Sequence, residues 1–291
     1  MTTEGKPKKR FIVSIVGLLL VILGVLWITV IFPTIDKVPL DYERTYYFVG
    51  NFTLVDPATQ QVVFIPIRQT LAQEAIGTED GALLIHEKRT VFDTSTEPER
   101  DISERYGDES TIAIDRRAMK FVTKVDEGNR TGYWGPPRPI GKDDSYDLWN
   151  PGAGQPLPAS FVREENFRGM NVLVFDVKGD DIKIGTEPQS GMDLYLTTTI
   201  TQWVAPSSGT VVYNESVTTT SLDMMGMKVP IQVSELRYAE ETIEDLMDIA
   251  KYAHTMLLWL RTIVPWILIG LGAVMVLVDV LVLPIIQARR E

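Results

Sequence analysis

Two apolar runs stand at the ends of the chain, Phe11–Phe32 and Met256–Ile286, and a polar, alternating sequence lies between them. The first run, FIVSIVGLLLVILGVLWITVIF, holds 22 residues and no charge. As a helix rising about 1.5 Å per residue it covers ~33 Å, enough to cross a bilayer core. It exceeds the apolar stretch of a cleavable signal and ends in Ile31-Phe32-Pro33 without a small-residue cleavage pattern, so it reads as a retained anchor. Pro33 is expected to stop the helix. The second run is unbroken from Ile263 to Val278. It reaches spanning length when Arg261 snorkels outward and Asp279 reaches inward, with Trp259 and Trp266 suited to the outer interface. Pro265 and Pro284 are expected kink points. Gly17 and Gly24 share one face of the first helix, and Gly270 and Ala273 offer small surface on the second, which predicts close packing of the two.

Orientation follows from the basic residues. Lys6, Lys8, Lys9 and Arg10 precede the first run, and Arg289 and Arg290 follow the second. The positive-inside rule places both termini in the cytoplasm and everything between the spans outside it. The expected plan is a basic cytoplasmic tail (1–10), a first transmembrane helix (11–32), an extracytoplasmic β-rich domain (33–239), an amphipathic connecting helix (240–256), a second transmembrane helix (257–286) and a short tail (287–291). The chain is thus expected to be a two-pass protein of the plasma membrane.

Between the spans the period is two. Arg44–Val55, Gln61–Ile67, Ala82–Phe92, Asn171–Val177, Leu194–Val204, Thr210–Leu222 and Val229–Tyr238 read as strands, with further strands in Thr111–Val125 around Asp115-Arg116-Arg117. Asp56-Pro57-Ala58-Thr59 and Pro206-Ser207-Ser208-Gly209 are turn sequences. Local turns between short strands predict an antiparallel, mainly β domain: a curved sheet, half-barrel or sandwich. Charged Asp93–Ser110 reads as a loop. Gly132–Ala159, rich in Pro, Gly and aromatics, reads as a long loop whose aromatics cover the sheet as a lid. From Glu240 the period becomes helical: Ile243, Leu246, Met247, Ala250 and His254 fall on one face. That helix is expected to run on into the second span and couple the domain to it rigidly.

Composition narrows the chemistry. With no cysteine and two histidines among 291 residues, disulfides, zinc–thiolate sites and histidine-rich metal centres are excluded. The net charge is −11, and residues 33–254 hold 21 basic against 36 acidic side chains, net −15. Such a surface repels nucleic acid. Asp143, Asp144 and Asp147 form an oxygen cluster of the kind calcium favours, and Asp180-Asp181 a pair. Glu87 and Asp93, beside Lys88 and Arg89, read as surface ion pairs. Glu164 and Glu165 are the weak candidates for carboxylate catalysis. Asn51, Asn129 and Asn214 begin glycosylation sequons. Asp279, a carboxylate within an apolar run, is either a functional group or an anchor residue reaching the cytoplasmic arginines.

Several segments in order resemble a known family. They are Asp115-Arg116-Arg117, Leu148-Trp149-Asn150-Pro151, Phe161–Val177 and Thr201-Gln202-Trp203-Val204-Ala205-Pro206-Ser207-Ser208-Gly209-Thr210, set between two terminal spans. Together they resemble the actinobacterial porin PorA family, which has archaeal relatives. Asn150 and Ala205 stand where that pattern has acidic residues, so no acidic role carries over there. The Trp203–Gly209 hairpin is also similar to one in LolA-type lipoprotein carriers, and the two-anchor arrangement to class B scavenger receptors. The family name implies an oligomeric channel. The residues themselves point instead to a non-enzymatic, cofactor-free envelope protein. Its partners are the bilayer and a lipid, glycan or envelope protein, or copies of itself, with Trp149 and Trp203 as candidate ligand contacts. An extracytoplasmic carboxylate hydrolase is the third reading.

Overall fold

The structure is a computed structural model that describes residues 12–55, 59, 61–188 and 190–282. It divides into a helical unit built from the two ends of the chain and a β-unit, Val38–Tyr252.

In the helical unit, α1 (Ile12–Leu26) passes through a π-helical turn, Trp27–Ile31, into α2 (Phe32–Ile35). Pro33 therefore sits inside the helix instead of ending it. Proline lacks an N–H and clashes with the carbonyl four residues back. Here the wider turn lets the Phe32 N–H reach the Trp27 carbonyl just before the proline. The second long helix repeats the device. A π-helical turn at Trp259–Ile263 precedes Pro265, and another at Val278–Val282 lies before position 284, also proline in the sequence. The expected kink at Pro265 is thus a widened turn in the backbone ahead of it, and Pro284 lies outside the described residues.

The β-unit is one antiparallel sheet. Its strands are β1 (Glu43–Val55), β2 (Val62–Glu79), β3 (Ala82–Asp93), β4 (Arg100–Asp101), β5 (Asp108–Asp115) and β6 (Lys120–Phe121), then β7 (Tyr146–Asn150), β8 (Gln155–Phe167), β9 (Met170–Thr186), β10 (Asp193–Val204), β11 (Val211–Met224) and β12 (Met227–Tyr238). A single helical turn, α3 (Ser103–Tyr106), lies between β4 and β5. The order across the sheet is β6-β5-β3-β2-β1-β12-β11-β10-β9-β8-β7, with β4 added beside β3. Each half of the chain folds as its own meander. The first and last strands, β1 and β12, join the halves in the middle.

The two outer strands are brought together as well. Tyr133 bridges antiparallel to Lys120 on β6 and parallel to Leu148 on β7. Its N–H bonds the Asp147 carbonyl at 2.8 Å and its carbonyl takes the Trp149 N–H at 2.9 Å. On the other side the Phe121 N–H meets the Gly132 carbonyl and the Trp134 N–H meets the Met119 carbonyl. One extended residue thus fastens the edges of a curved half-barrel. Gly132 makes the entry: its φ is +78°, and a Cβ there would stand 2.5 Å from the Asp147 carbonyl. The Gly132–Ala159 segment is therefore not a lid laid over the sheet; it supplies the clasp, strand β7 and the start of β8.

Hydrophobic patterning explains the layers. On β9, Leu173, Phe175 and Val177 pack with Tyr146, Leu148, Leu157 and Ile140 on the concave side. Val172 and Val174, facing the other way, pack with Trp203, Val212 and Ile243, Met247 and Ala250 of α4 (Glu240–Leu258). β9 is buried on both faces, which suits its continuous apolar run. On β10 the inward Thr198 meets Thr218 of β11 across the ladder, hydroxyl to hydroxyl at 2.7 Å. The stretch read as a loop, Asp93–Ser110, has a turn, β4, α3 and the first residues of β5. The Asp56–Thr59 turn lies mostly outside the described residues, but Val55 and Val62 pair as its flanking strands require.

Candidate functional site

The concave side of the β-unit holds a cavity of about 560 Å³, within the usual range of small-molecule sites (~300–1,000 Å³). Strand register builds its wall. Side chains directly opposite one another point to the same face. Tyr46 of β1 lies opposite Leu71 of β2, Leu71 opposite Arg89 of β3, and Arg89 opposite Asp108 of β5. The adjoining row on that face is Arg44, Gln73, Glu87 and Ser110. All eight line the cavity. Phe48 and Tyr238, paired across the β1–β12 seam with rings 5.0 Å apart, and Leu246 and Ile249 of α4 add apolar wall.

Within the charged rows most groups are spoken for. Arg130 bonds the buried Asp126 at 3.0 Å and the Ser110 hydroxyl at 2.9 Å. Arg44 reaches Asp245 of α4 at 3.4 Å. Glu87 accepts a short hydrogen bond from the Gln73 amide and a longer one, 3.4 Å, from the Trp134 indole. Burial pushes the Glu87 carboxyl above the usual carboxylate range, against those hydrogen bonds and the pull of Arg130 and Arg89. Burial likewise raises Tyr42 and Tyr46, whose hydroxyls are 3.1 Å apart, so both stay neutral phenols. Arg89 is the exception. It stands 3.6 Å from Asp108, and its Nε is buried with no hydrogen-bond partner. Asn214 of β11, also on the wall, has a buried Oδ1 without a partner. Each unmet buried group costs about 1–3 kcal/mol.

Of the residues singled out in the sequence, Trp149 lines the cavity, 6.1 Å from Phe121. Trp203 does not; it is 6% exposed in the core beneath α4. Glu87 is no surface ion-pair residue but a cavity group. Asp93 is likewise buried, 2% exposed, and holds Ser95 and Arg100. Asp143, Asp144 and Asp147 do not converge: Asp144 caps the Gly141 N–H at 2.6 Å, and no three such groups among the described residues are placed to hold a metal. Asp181 pairs with Lys228 at 2.7 Å. Glu164 and Glu165 are tied separately to Lys142 and Arg163. Of the sequon asparagines, Asn129 is exposed, while Asn214 faces the cavity. The interior role of Arg89 and Glu87 went unread because alternation assigns charges to the outside.

The helical unit holds a second polar feature. Ser14 of α1 bonds Asp279 by its hydroxyl and, at 3.3 Å, by its backbone N–H. Asp279 is 5% exposed in an otherwise apolar helix pair, and its Oδ1 is buried without a partner. The Trp27 indole donates to the Leu260 carbonyl at 2.7 Å. The helices touch at Gly17, Gly24 and Gly272: a Cβ on Gly17 would lie 2.6 Å from the Gly272 carbonyl. Gly270, chosen from the sequence, faces open space, and Gly272 takes its place. Arg261 is exposed in its π-helical turn, and Asp279 is held across the pair.

Comparison with solved structures gives distant likenesses. A putative outer membrane lipoprotein-sorting protein domain from Vibrio parahaemolyticus is 8% identical, covering 72% of this chain and 88% of its own, with a TM-score of 0.15. A LolA superfamily protein from Nitrosomonas europaea is 9% identical, covering 70% and 87%, with a TM-score of 0.16. Scores that low support no conclusion about ligand or fold. The search of curated proteins returns no match. The family comparison is decisive: the family described as Porin PorA matches residues 11–281, both long helices and the whole curved sheet included, and the chain belongs to it.

Proposed function

We propose that this chain is a two-pass membrane protein whose β-unit, held outside the cytoplasm, receives one small, partly apolar molecule in its cavity and acts by binding it. The observation that carries this reading is the 560 Å³ space inside a sheet whose edges are clasped together. Its wall sets aromatic and aliphatic side chains beside a charged and polar stretch, which suits a molecule of mixed character. Two helices long and apolar enough to cross a membrane, Ile12–Ile35 and Glu240–Leu281, support the anchoring. The Lys/Arg bias at the chain ends supports the orientation. Binding, not hydrolysis, fits Glu164 and Glu165, each taken up in its own ion pair.

The family name favours a second reading, an ion-conducting oligomer. Two helices enclose no pore, so that reading needs several copies around a polar seam, with Asp279 the group available in the span. One experiment separates the two. Native mass spectrometry of the full chain released from detergent is expected to show a single retained small molecule per chain. A bare chain mass, together with steady unitary conductance of the same preparation in planar bilayers, would give the function to the channel.

A further inference from the structure

We infer that the cavity selects an anionic amphiphile, a molecule with one carboxylate or phosphate head and an apolar tail, and that Arg89 receives the head. The inference rests on the binding reading above and names the ligand class.

The region between the spans is strongly acidic, yet the cavity wall carries Arg44, Arg89, Arg130 and Arg138 against Glu87 and Asp108. Asp126 offsets Arg130, and Asp245 approaches Arg44. Arg89 has Asp108 at 3.6 Å, with half of the Asp108 side chain open to solvent, and a weaker attraction to Glu87, whose carboxyl pKa is raised by burial. Its Nε is buried without a hydrogen-bond partner, while about a quarter of the side chain stays open on the cavity wall. A guanidinium fork matches the paired oxygens of carboxylate and phosphate. A neutral head offers at best one ordinary acceptor and a cation is repelled, whereas an anion pairs with the guanidinium by charge as well as by hydrogen bond.

Polarity changes along the wall. The rows carrying Arg44, Glu87, Arg89 and Asp108 lie at one part of the sheet. The next residue along the inner face of β1 is Phe48, packed on Tyr238, with Leu246 and Ile249 also on the wall. A ligand with its charge on Arg89 therefore has hydrocarbon surface within the same cavity for its tail. The burial that raises the Glu87 carboxyl weakens one of the two acidic groups on these rows, leaving Asp108, half open to solvent, as the other.

The test uses the full chain in lipid nanodiscs and four eight-carbon probes: octanoate, octyl phosphate, octanol and octyltrimethylammonium. Binding is read by the fluorescence of the cavity tryptophans and by calorimetry. One or both anions should bind about tenfold or more tightly than octanol, and the cation more weakly than either. The order of octanoate and octyl phosphate tells carboxylate from phosphate as the natural head. Arg89→Gln should bring the anions down to the affinity of octanol and leave octanol unchanged, whereas Arg89→Lys should keep most of the preference. Unchanged octanol binding also shows that the variant is folded. Equal affinity of octanol and the anions, or a preference surviving Arg89→Gln, overturns the charge assignment and leaves the cavity reading standing. Absence of binding by all four overturns the cavity reading itself.

Discussion

Gly50→Ala is expected to destabilise the β-unit by about 3 kcal/mol, the scale of severe overpacking in a tight site. Gly50 lies in the middle of β1, opposite Leu236 of β12. A Cβ there would collide with the Glu235 carbonyl, well inside van der Waals contact, and lie 3.0 Å from the Leu236 Cα. Both obstacles are backbone, so no side chain can swing aside; the strands must part. They are the strands that hold the two meanders together, with the Tyr133 clasp at the far edges. The damage therefore falls on the closure of the whole sheet. For a unit of this size the melting temperature should fall by roughly 6–12 °C in differential scanning calorimetry of the full chain. Gly135→Ala is the control, since its Cβ would meet only the Met119 side chain at an ordinary 3.5 Å and should change little. Equal melting of the two variants would contradict the seam.

Gly17→Leu is expected to separate the helix pair. The Gly17 Cα approaches Gly272 so closely that even a methyl group would meet its carbonyl at 2.6 Å, with Met275 and Val276 on either side. In lipid no hydrophobic effect drives helices together, so packing at small residues and interhelical hydrogen bonds must do it. Pushing the helices apart removes the packing and breaks the Ser14–Asp279 and Trp27–Leu260 hydrogen bonds together. The absence of native cysteine gives a clean readout. Ser14→Cys with Asp279→Cys should crosslink on mild oxidation in the membrane. Adding Gly17→Leu should lower the yield about tenfold, and adding Gly270→Leu, at a position facing open space, should not. Efficient crosslinking in the presence of Gly17→Leu would mean that the pair is not built on this contact.

The sequence exposed the strands rich in β-branched and aromatic residues between turn signals: the bounds of β1, β3, β10, β11 and β12 fall within a few residues of those read from pattern. β8 was hidden by its prolines. Pro156 and Pro158 lie where β8 pairs with β7 alone, before its pairing with β9 begins at Ala159. An edge position of that kind tolerates a missing N–H. The later part of β2 was missed because its inner residues include Gln69 and Gln73, polar side chains buried by their place in the sheet. The same rule hid the site: Glu87 and Arg89 look like surface residues until register sets them on the concave side. The Tyr133 clasp is a pair of isolated bridges, to Lys120 and Leu148, made by one residue outside any strand, and has no periodic signature. For the helices the difficulty was opposite. A segment apolar on all sides has no polar stripe to fix its phase, so Gly270 and Gly272 were equally eligible.

The cavity is the part of the account on which the functional proposals stand, and a heavy atom can locate its occupant. The full chain crystallised with 8-bromooctanoate should show one anomalous bromine peak inside the sheet, among Phe48, Tyr238, Leu246 and Ile249, with the carboxylate at Arg89. Bromine confined to the outer surface or to the helix pair, with the interior left empty, would contradict it.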